Sequence, residues 1–423
     1  MKKILILFVL FYLFAGNNYS QWVIQNSNVN VMLESVYFTN EYTGWIAADA
    51  GVILRTNNGG IDWVTQESGV STILESVYFT NQSTGWVAGK YGVLLNTTNA
   101  GTNWNTVGLG ITNYLLSIYF ISQNTGWISG NGGIILKTTN SGLNWFEQHS
   151  GTTDFLNSVY FVNPNTGYAG GYYETGGGYA GIMYKTTNSG THWVTVSSGT
   201  PDIYTDIKFL NADTGFAAGS YYTGTFTGNI LKTTNGGINW VRKILGLASG
   251  FGSVFFVNNF TGWAVGGAGK ILKTINGGEN WSAQASGSSS YLLSVCFVNN
   301  YTGWAIGLNG TILATSNAGA TFLESKGLYT PSEYELFQNF PNPFNPSTVI
   351  KFRIPKNSFV KIIVYDASGK KISELINQNM KAGEYEIPFF LNNYGKNGNS
   401  SGVYFYKIEA NEYTCTKKMI LLK

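Results

Sequence analysis

Three acidic residues in one stretch of this 423-residue chain could act as a catalytic pair: Asp154, Asp202 and Asp206. They stand just ahead of two neighbouring segments, and cleavage of a glycosidic bond needs two carboxylates flanking the scissile bond. Glu34 and Glu75 form a second, weaker pair. Other chemistries lack their parts. A sialidase-like clamp on a carboxylate needs several guanidinium groups, yet only Arg55 and Arg242 precede residue 327, too far apart in the chain's repeats to share one substrate. His192 occupies a turn position where sister segments carry Asn or Asp, and His149 has no clustered partner. Gly176-Gly177-Gly178 follows no strand-to-helix context and reads as a loop, not a phosphate cradle. No metal-ligand spacing or nucleophile triad occurs, so the residues imply neither a metal nor a cofactor.

Recognition is the chemistry the sequence favours. Two segments carry aromatic insertions: Tyr172, Tyr173 and Tyr179 in one, Tyr221, Tyr222 and Phe226 in the next. Phe155 and Tyr204, with Tyr114, Phe251 and Tyr291, precede the first strands of their segments. Rigid rings among adaptable Gly and Thr suit peptide or sugar ligands. The competing reading is that these rings merely fill space between repeats.

The elements that must position them repeat every 41 residues over much of the chain. One marker is a Gly-aromatic step at Trp45, Trp86, Trp127, Tyr168, Phe216, Trp263 and Trp304. The second ends a Thr-x-Asn-x-Gly-x-x-aromatic turn at Trp63, Trp104, Trp145, Trp193, Trp240, Trp281 and Phe322. Between the markers lie short alternating strands, as in Ser76–Phe79, Gly85–Gly89 and Gly92–Leu95. Four such strands per repeat predict one antiparallel β-propeller blade, and seven repeats predict an all-β, seven-bladed propeller. Asn favours the tight turn and Gly supplies positive φ. Trp22 is an eighth fourth-strand aromatic, so either it or Phe322 supplies the last outer strand. The insertions lie between the second and third strands of adjacent blades, on the face where the blades connect, which makes them one Tyr- and Gly-rich lip.

The turn resembles the Asp-box of BNR-repeat propellers, with Asn in place of Asp in all seven copies. Together with the Gly-Trp steps it is similar to the photosystem II stability and assembly factors, over roughly residues 21–325. That resemblance implies a propeller that holds protein segments, and Asp-boxes that are scaffold and not catalytic. It does not imply photosynthesis here.

Residues 1–20 read as a secretory signal peptide: Met1-Lys2-Lys3, then an apolar run to Ala15, with cleavage expected between Ser20 and Gln21. No later segment is long and apolar enough to span a bilayer, so the mature chain is expected to have no transmembrane segment. Charged residues are 11% of the chain and the net charge is +3, too little to attract nucleic acid. Cys296 and Cys415 fall in different domains and are read as free thiols. The propeller is placed at 21–327 and a small β-sandwich at 328–423. In the latter, Gln338-Asn339-Phe340-Pro341-Asn342-Pro343-Phe344-Asn345-Pro346, Gly402-Val403-Tyr404 and the closing Lys417 to Lys423 resemble the type A sorting domain of the type IX secretion system. The resemblance implies the type IX machinery as a partner and a secreted or outer-surface destination in a Bacteroidetes-type bacterium. The expected function is a non-catalytic propeller that binds a protein or polysaccharide ligand of unknown identity; the alternative is a carbohydrate-active hydrolase.

Overall fold

The structure, a computed structural model, describes residues 22–176, 178–200, 202–222, 225–318, 331–344, 347–390 and 401–422. The expected signal peptide and Phe322 lie outside them. The chain divides into two compact units, one holding the described residues up to 318 and the other those from 331 onward.

The first unit contains seven four-stranded antiparallel sheets. Blade 1 runs Leu33–Phe38, Gly44–Ala48, Ile53–Thr56 and Val64–Gln66 from axis to rim, and blades 2 to 6 follow the same order. Each inner strand contacts the inner strands on both sides, and blade 7 contacts blade 1, so the ring is closed. The closing strand is N-terminal. Val23–Gln25 pairs with Ile312–Thr315 as the outer strand of blade 7.

The sequence markers have a shared physical cause. The last residue of every inner strand is Phe, and it receives a ring from each side. Phe38 stacks on Trp304 of the preceding blade at 3.4 Å and meets its own blade's Trp63 edge-on at 5.8 Å. Phe79 does the same with Trp45 and Trp104, and Phe161 with Trp127 and Trp193. In blade 7 the edge-on partner of Phe297 is Trp22, at 5.7 Å. The glycine before each second-strand aromatic is obligatory at the same place: a Cβ on Gly44 would lie 2.5 Å from the Phe38 ring.

The turn before each outer strand is held by its own side chains. Thr56 Oγ1 accepts from the Gly60 N–H at 2.9 Å and donates to Asn58 Oδ1, which accepts the Asp62 N–H at 3.0 Å. Equivalent bonds recur in blades 2 to 6. Lysines in the third strands of blades 3 to 6 then tie the turns of blades 4 to 7 to the preceding blade. Lys137, Lys185, Lys232 and Lys273 donate to Ser189, Gly236, Gly277 and Ala318 carbonyls at 3.0, 2.8, 2.7 and 3.3 Å. Each ammonium also lies over its own blade's second-strand ring. Burial lowers the Lys273 pKa to about 8.

The second unit packs a three-stranded sheet (Glu335–Leu336, Ser347–Ile354, Gly383–Phe390) against a four-stranded one (Lys371–Met380, Ser358–Asp366, Gly402–Ala410, Tyr413–Leu421). One apolar core, including Phe352, Ile362, Tyr406 and Met419, lies between them. Asn339 of the Gln-Asn-x-Pro opening is buried, its side-chain amide donating to Thr348 Oγ1 and its backbone N–H to Tyr406 Oη, both at 2.8 Å.

Candidate functional site

The two insertions fold as hairpins, not loops. In blade 4 the second and third strands lengthen to Gly167–Thr175 and Gly178–Thr186, paired out to Thr175 and Gly178. In blade 5 they are Gly215–Tyr222 and Phe226–Thr233, paired out to Tyr222 and Phe226. Both rise from the face where the inner strands begin, since Phe155 at the start of one inner strand pairs with Tyr172. The hairpins are neighbours: a Cβ built on Gly178 would lie 3.3 Å from the Tyr222 ring.

Their rings divide into props and exposed faces. Phe155 stacks on Tyr172 at 4.8 Å, and Tyr172 meets Tyr179 edge-on at 5.3 Å. Tyr221 is half-buried under the Arg242 guanidinium, 5.6 Å from its centroid. Tyr173, Tyr179, Tyr222 and Phe226 stay 39%, 42%, 36% and 47% exposed, which leaves four rings available to a ligand. Tyr222 and Phe226 lie 4.9 Å apart.

Tyr204 corrects the sequence reading. It is fully buried, and its hydroxyl donates to Ser198 Oγ. Burial raises its pKa. Its backbone pairs with Gly219 as Leu33 pairs with Ala48, so it occupies the buried Leu position of the inner strand and not the mouth position of Tyr114 and Phe155. Phe251, paired with Gly266, is buried for the same reason. Alignment one residue out of register turns a side chain to the opposite face.

The aspartates are held apart in separate scaffold roles. Asp202 is buried, and both its oxygens accept from Arg242 Nη2 at 2.7 and 2.8 Å. Asp154 accepts from Tyr184 Oη at 2.9 Å and Thr152 Oγ1 at 2.5 Å. Asp206 replaces a serine. Elsewhere an inner-strand serine hydroxyl accepts from a backbone N–H of the next blade, as Ser35 does from Val77 at 3.2 Å and Ser294 from Val36 at 3.3 Å. The Asp206 carboxylate instead accepts from the Val254 N–H at 3.1 Å, from Ser253 at 2.9 Å and from Ser158 at 3.3 Å, and pairs with Lys208 at 3.3 Å.

Glu34 and Glu75 line the axial channel, a cavity of about 460 Å³ bounded by the inner strands. A bulge in each inner strand lets Glu34 and Ser35 both face it. Burial first, then the charges of Glu75 and Asp49, push the Glu34 carboxyl up to about 8. Burial also raises Glu75, against the opposing pull of Lys90 at 3.6 Å. Further along, Tyr37, Tyr78, Tyr119 and Tyr160 form an arc of rings 4.9, 6.0 and 4.6 Å apart. Neither the arc nor the lysine ties was read from sequence. A signal for the ties exists, because a basic residue directly precedes the turn Thr in five repeats: Arg55, Lys137, Lys185, Lys232 and Lys273. Among the described residues no cluster of three His, Cys, Asp or Glu could hold a metal ion, and no helix is long and apolar enough to cross a membrane.

Closed ring, sevenfold turn and aromatic interlock define a seven-bladed propeller with two blades modified at one face. The family model described as photosynthesis system II assembly factor YCF48 matches residues 15–112, 185–285 and 241–316, and the chain belongs to that family. A second model, the secretion system C-terminal sorting domain, matches residues 338–422. No curated protein matches in a sequence comparison. Among solved structures, YCF48 bound to D1 peptide is 19% identical, with a TM-score of 0.58 over 70% of this chain and 96% of that one. YCF48 from Cyanidioschyzon merolae is 19% identical, with a TM-score of 0.56 over 70% and 98%. The GH74 xyloglucanase from Xanthomonas campestris is 11% identical, with a TM-score of 0.56 over 78% and 59%. At these identities the structures establish the fold. The sorting domain implies handling by the type IX secretion system and secretion to the cell surface.

Proposed function

We propose that the protein is an exported, non-catalytic binding module whose ligand docks on the aromatic lip of blades 4 and 5. One observation carries the reading: the two blades that break the sevenfold pattern are adjacent, and both put exposed rings on the same face. Tyr179, braced by Tyr172, which is itself stacked on Phe155, loses little freedom when a ligand covers it, which favours binding. The partnered aspartates support a role without bond cleavage, because Asp154, Asp202 and Asp206 each serve a local scaffold contact. Family membership adds precedent, since one relative of known structure is described as bound to a peptide.

The test is a combined glycan and peptide array probed with the full secreted chain and with a variant carrying Tyr173→Ala, Tyr179→Ala, Tyr222→Ala and Phe226→Ala. The parent is expected to select ligands that the variant does not. Equal selection by both proteins would remove the lip from the account.

A further inference from the structure

Resting on that reading of the lip, we propose that its ligand is an uncharged polysaccharide. Charge disfavours an ionic ligand. Beside the lip the ionic groups are already engaged: Arg242 with Asp202, and Asp154 with Tyr184 and Thr152. Glu174, opposite Tyr179 near the blade 4 tip, is the one acid on the two hairpins. Neither hairpin tip, residues 170–181 and 219–228, carries a lysine or arginine in its sequence, and a single carboxylate there repels polyanions and is too little to hold a polycation.

The surface that remains suits sugar rings. Tyr173, Tyr179 and Tyr222 each offer a flat apolar face and a hydroxyl tip, and Phe226 adds a fourth face. Thr175, Thr225 and Thr227 add hydroxyls on the same hairpins. Pyranose rings present the matching chemistry, with C–H groups on their faces and hydroxyls around their edges. An extended peptide would more readily use strand addition, which needs an open sheet edge. In blade 5 that edge is taken, because the outer strand lengthens to Val241–Ala248 and follows the third strand as far as the Gly228–Leu247 pair; strand addition is left only to blade 4, where Val194–Thr195 pairs no further out than Tyr184.

The experiment is affinity electrophoresis of the full secreted chain in gels containing neutral polymers (xyloglucan, galactomannan, laminarin, dextran), anionic polymers (alginate, polygalacturonate, heparin) or none. Titration calorimetry with the retarding polymer follows. The variants are Tyr173→Ala/Tyr179→Ala and Tyr222→Ala/Phe226→Ala, all at exposed positions, with near-ultraviolet circular dichroism as the folding control. At least one neutral polymer should retard the parent, and each double variant should weaken binding about tenfold or more, from the loss of two ring contacts. No retardation by any neutral polymer overturns the proposal. Binding confined to anionic polymers or array peptides, yet sensitive to the variants, overturns the sugar class and leaves the lip as binding surface. Binding to a neutral polymer that ignores the variants overturns both.

Discussion

Removing the Trp22 side chain should open the ring where it closes. Trp22 is fully buried, its indole N–H donates to Gln284 Oε1 at 3.2 Å, and its ring meets Phe297 edge-on. Gln284 in turn donates to the Ala318 carbonyl at 2.8 Å, so the outer strand of blade 6 holds both the blade 7 turn and the residue leading into the closing strand. Truncating a buried Trp to Ala costs about 3–5 kcal/mol through lost transfer energy and the cavity left behind. Loss of the indole–Gln284 hydrogen bond adds about 1 kcal/mol. Trp22→Ala is therefore expected to destabilise the propeller by roughly 4–6 kcal/mol. All 12 tryptophans precede residue 327, so tryptophan emission during urea titration follows the propeller without contribution from the C-terminal unit. Phe322→Ala is the matched control, since the slot at the edge of Ile312–Thr315 is filled by Val23–Gln25. A loss below about 1 kcal/mol for Trp22→Ala, or a larger loss for Phe322→Ala, would refute closure by the N-terminal strand.

Two further perturbations test the channel. Glu34 is held up to about 8 from an ordinary 4.5. Between those values the unfolded carboxyl ionises while the folded one keeps its proton, so stability falls as pH rises through that window and levels above it. Glu34→Gln should flatten the fall, which has a ceiling of about 5 kcal/mol by linkage; identical pH profiles of the unfolding midpoint would contradict this. Asp206→Ala strips partners from the Val254 N–H, Ser253 and Lys208, and should cost about 3–5 kcal/mol. Asp206→Ser, which restores the side chain of the other blades, should cost distinctly less, and equal unfolding midpoints for the two would argue against the ring role.

The propeller was legible because its repeat is enforced by packing. A Phe that accepts two rings and excludes a Cβ at Gly44 leaves little choice at the Gly-aromatic step, and a turn that bonds its own backbone fixes Thr, Asn and Gly. The closing strand was not legible, because Trp22 keeps only the spacing to the next inner strand and Phe322 only the preceding turn, and three-dimensional pairing decides between them. Near the mouth, the inner-strand bulge between Tyr204 and Asp206 breaks simple alternation, and Tyr204 was read one position out of register. Counting back from Asp206, which stands where the other blades have Ser, would have placed it among the buried leucines. The lip was legible as an insertion, but its division into props and exposed faces was not. Whether Tyr172 or Tyr173 faces outward depends on stacking against Phe155, a residue distant from the tip.

The most direct measurement is hydroxyl-radical footprinting of the full secreted chain with and without the polymer that retards it, read by mass spectrometry at individual rings. The account predicts protection at Tyr173, Tyr179, Tyr222 and Phe226, with Tyr42 and Phe260, exposed outside the two hairpins, unchanged. Protection centred on the channel mouth at Tyr91 and Tyr114, with the hairpin rings still reactive, would contradict it.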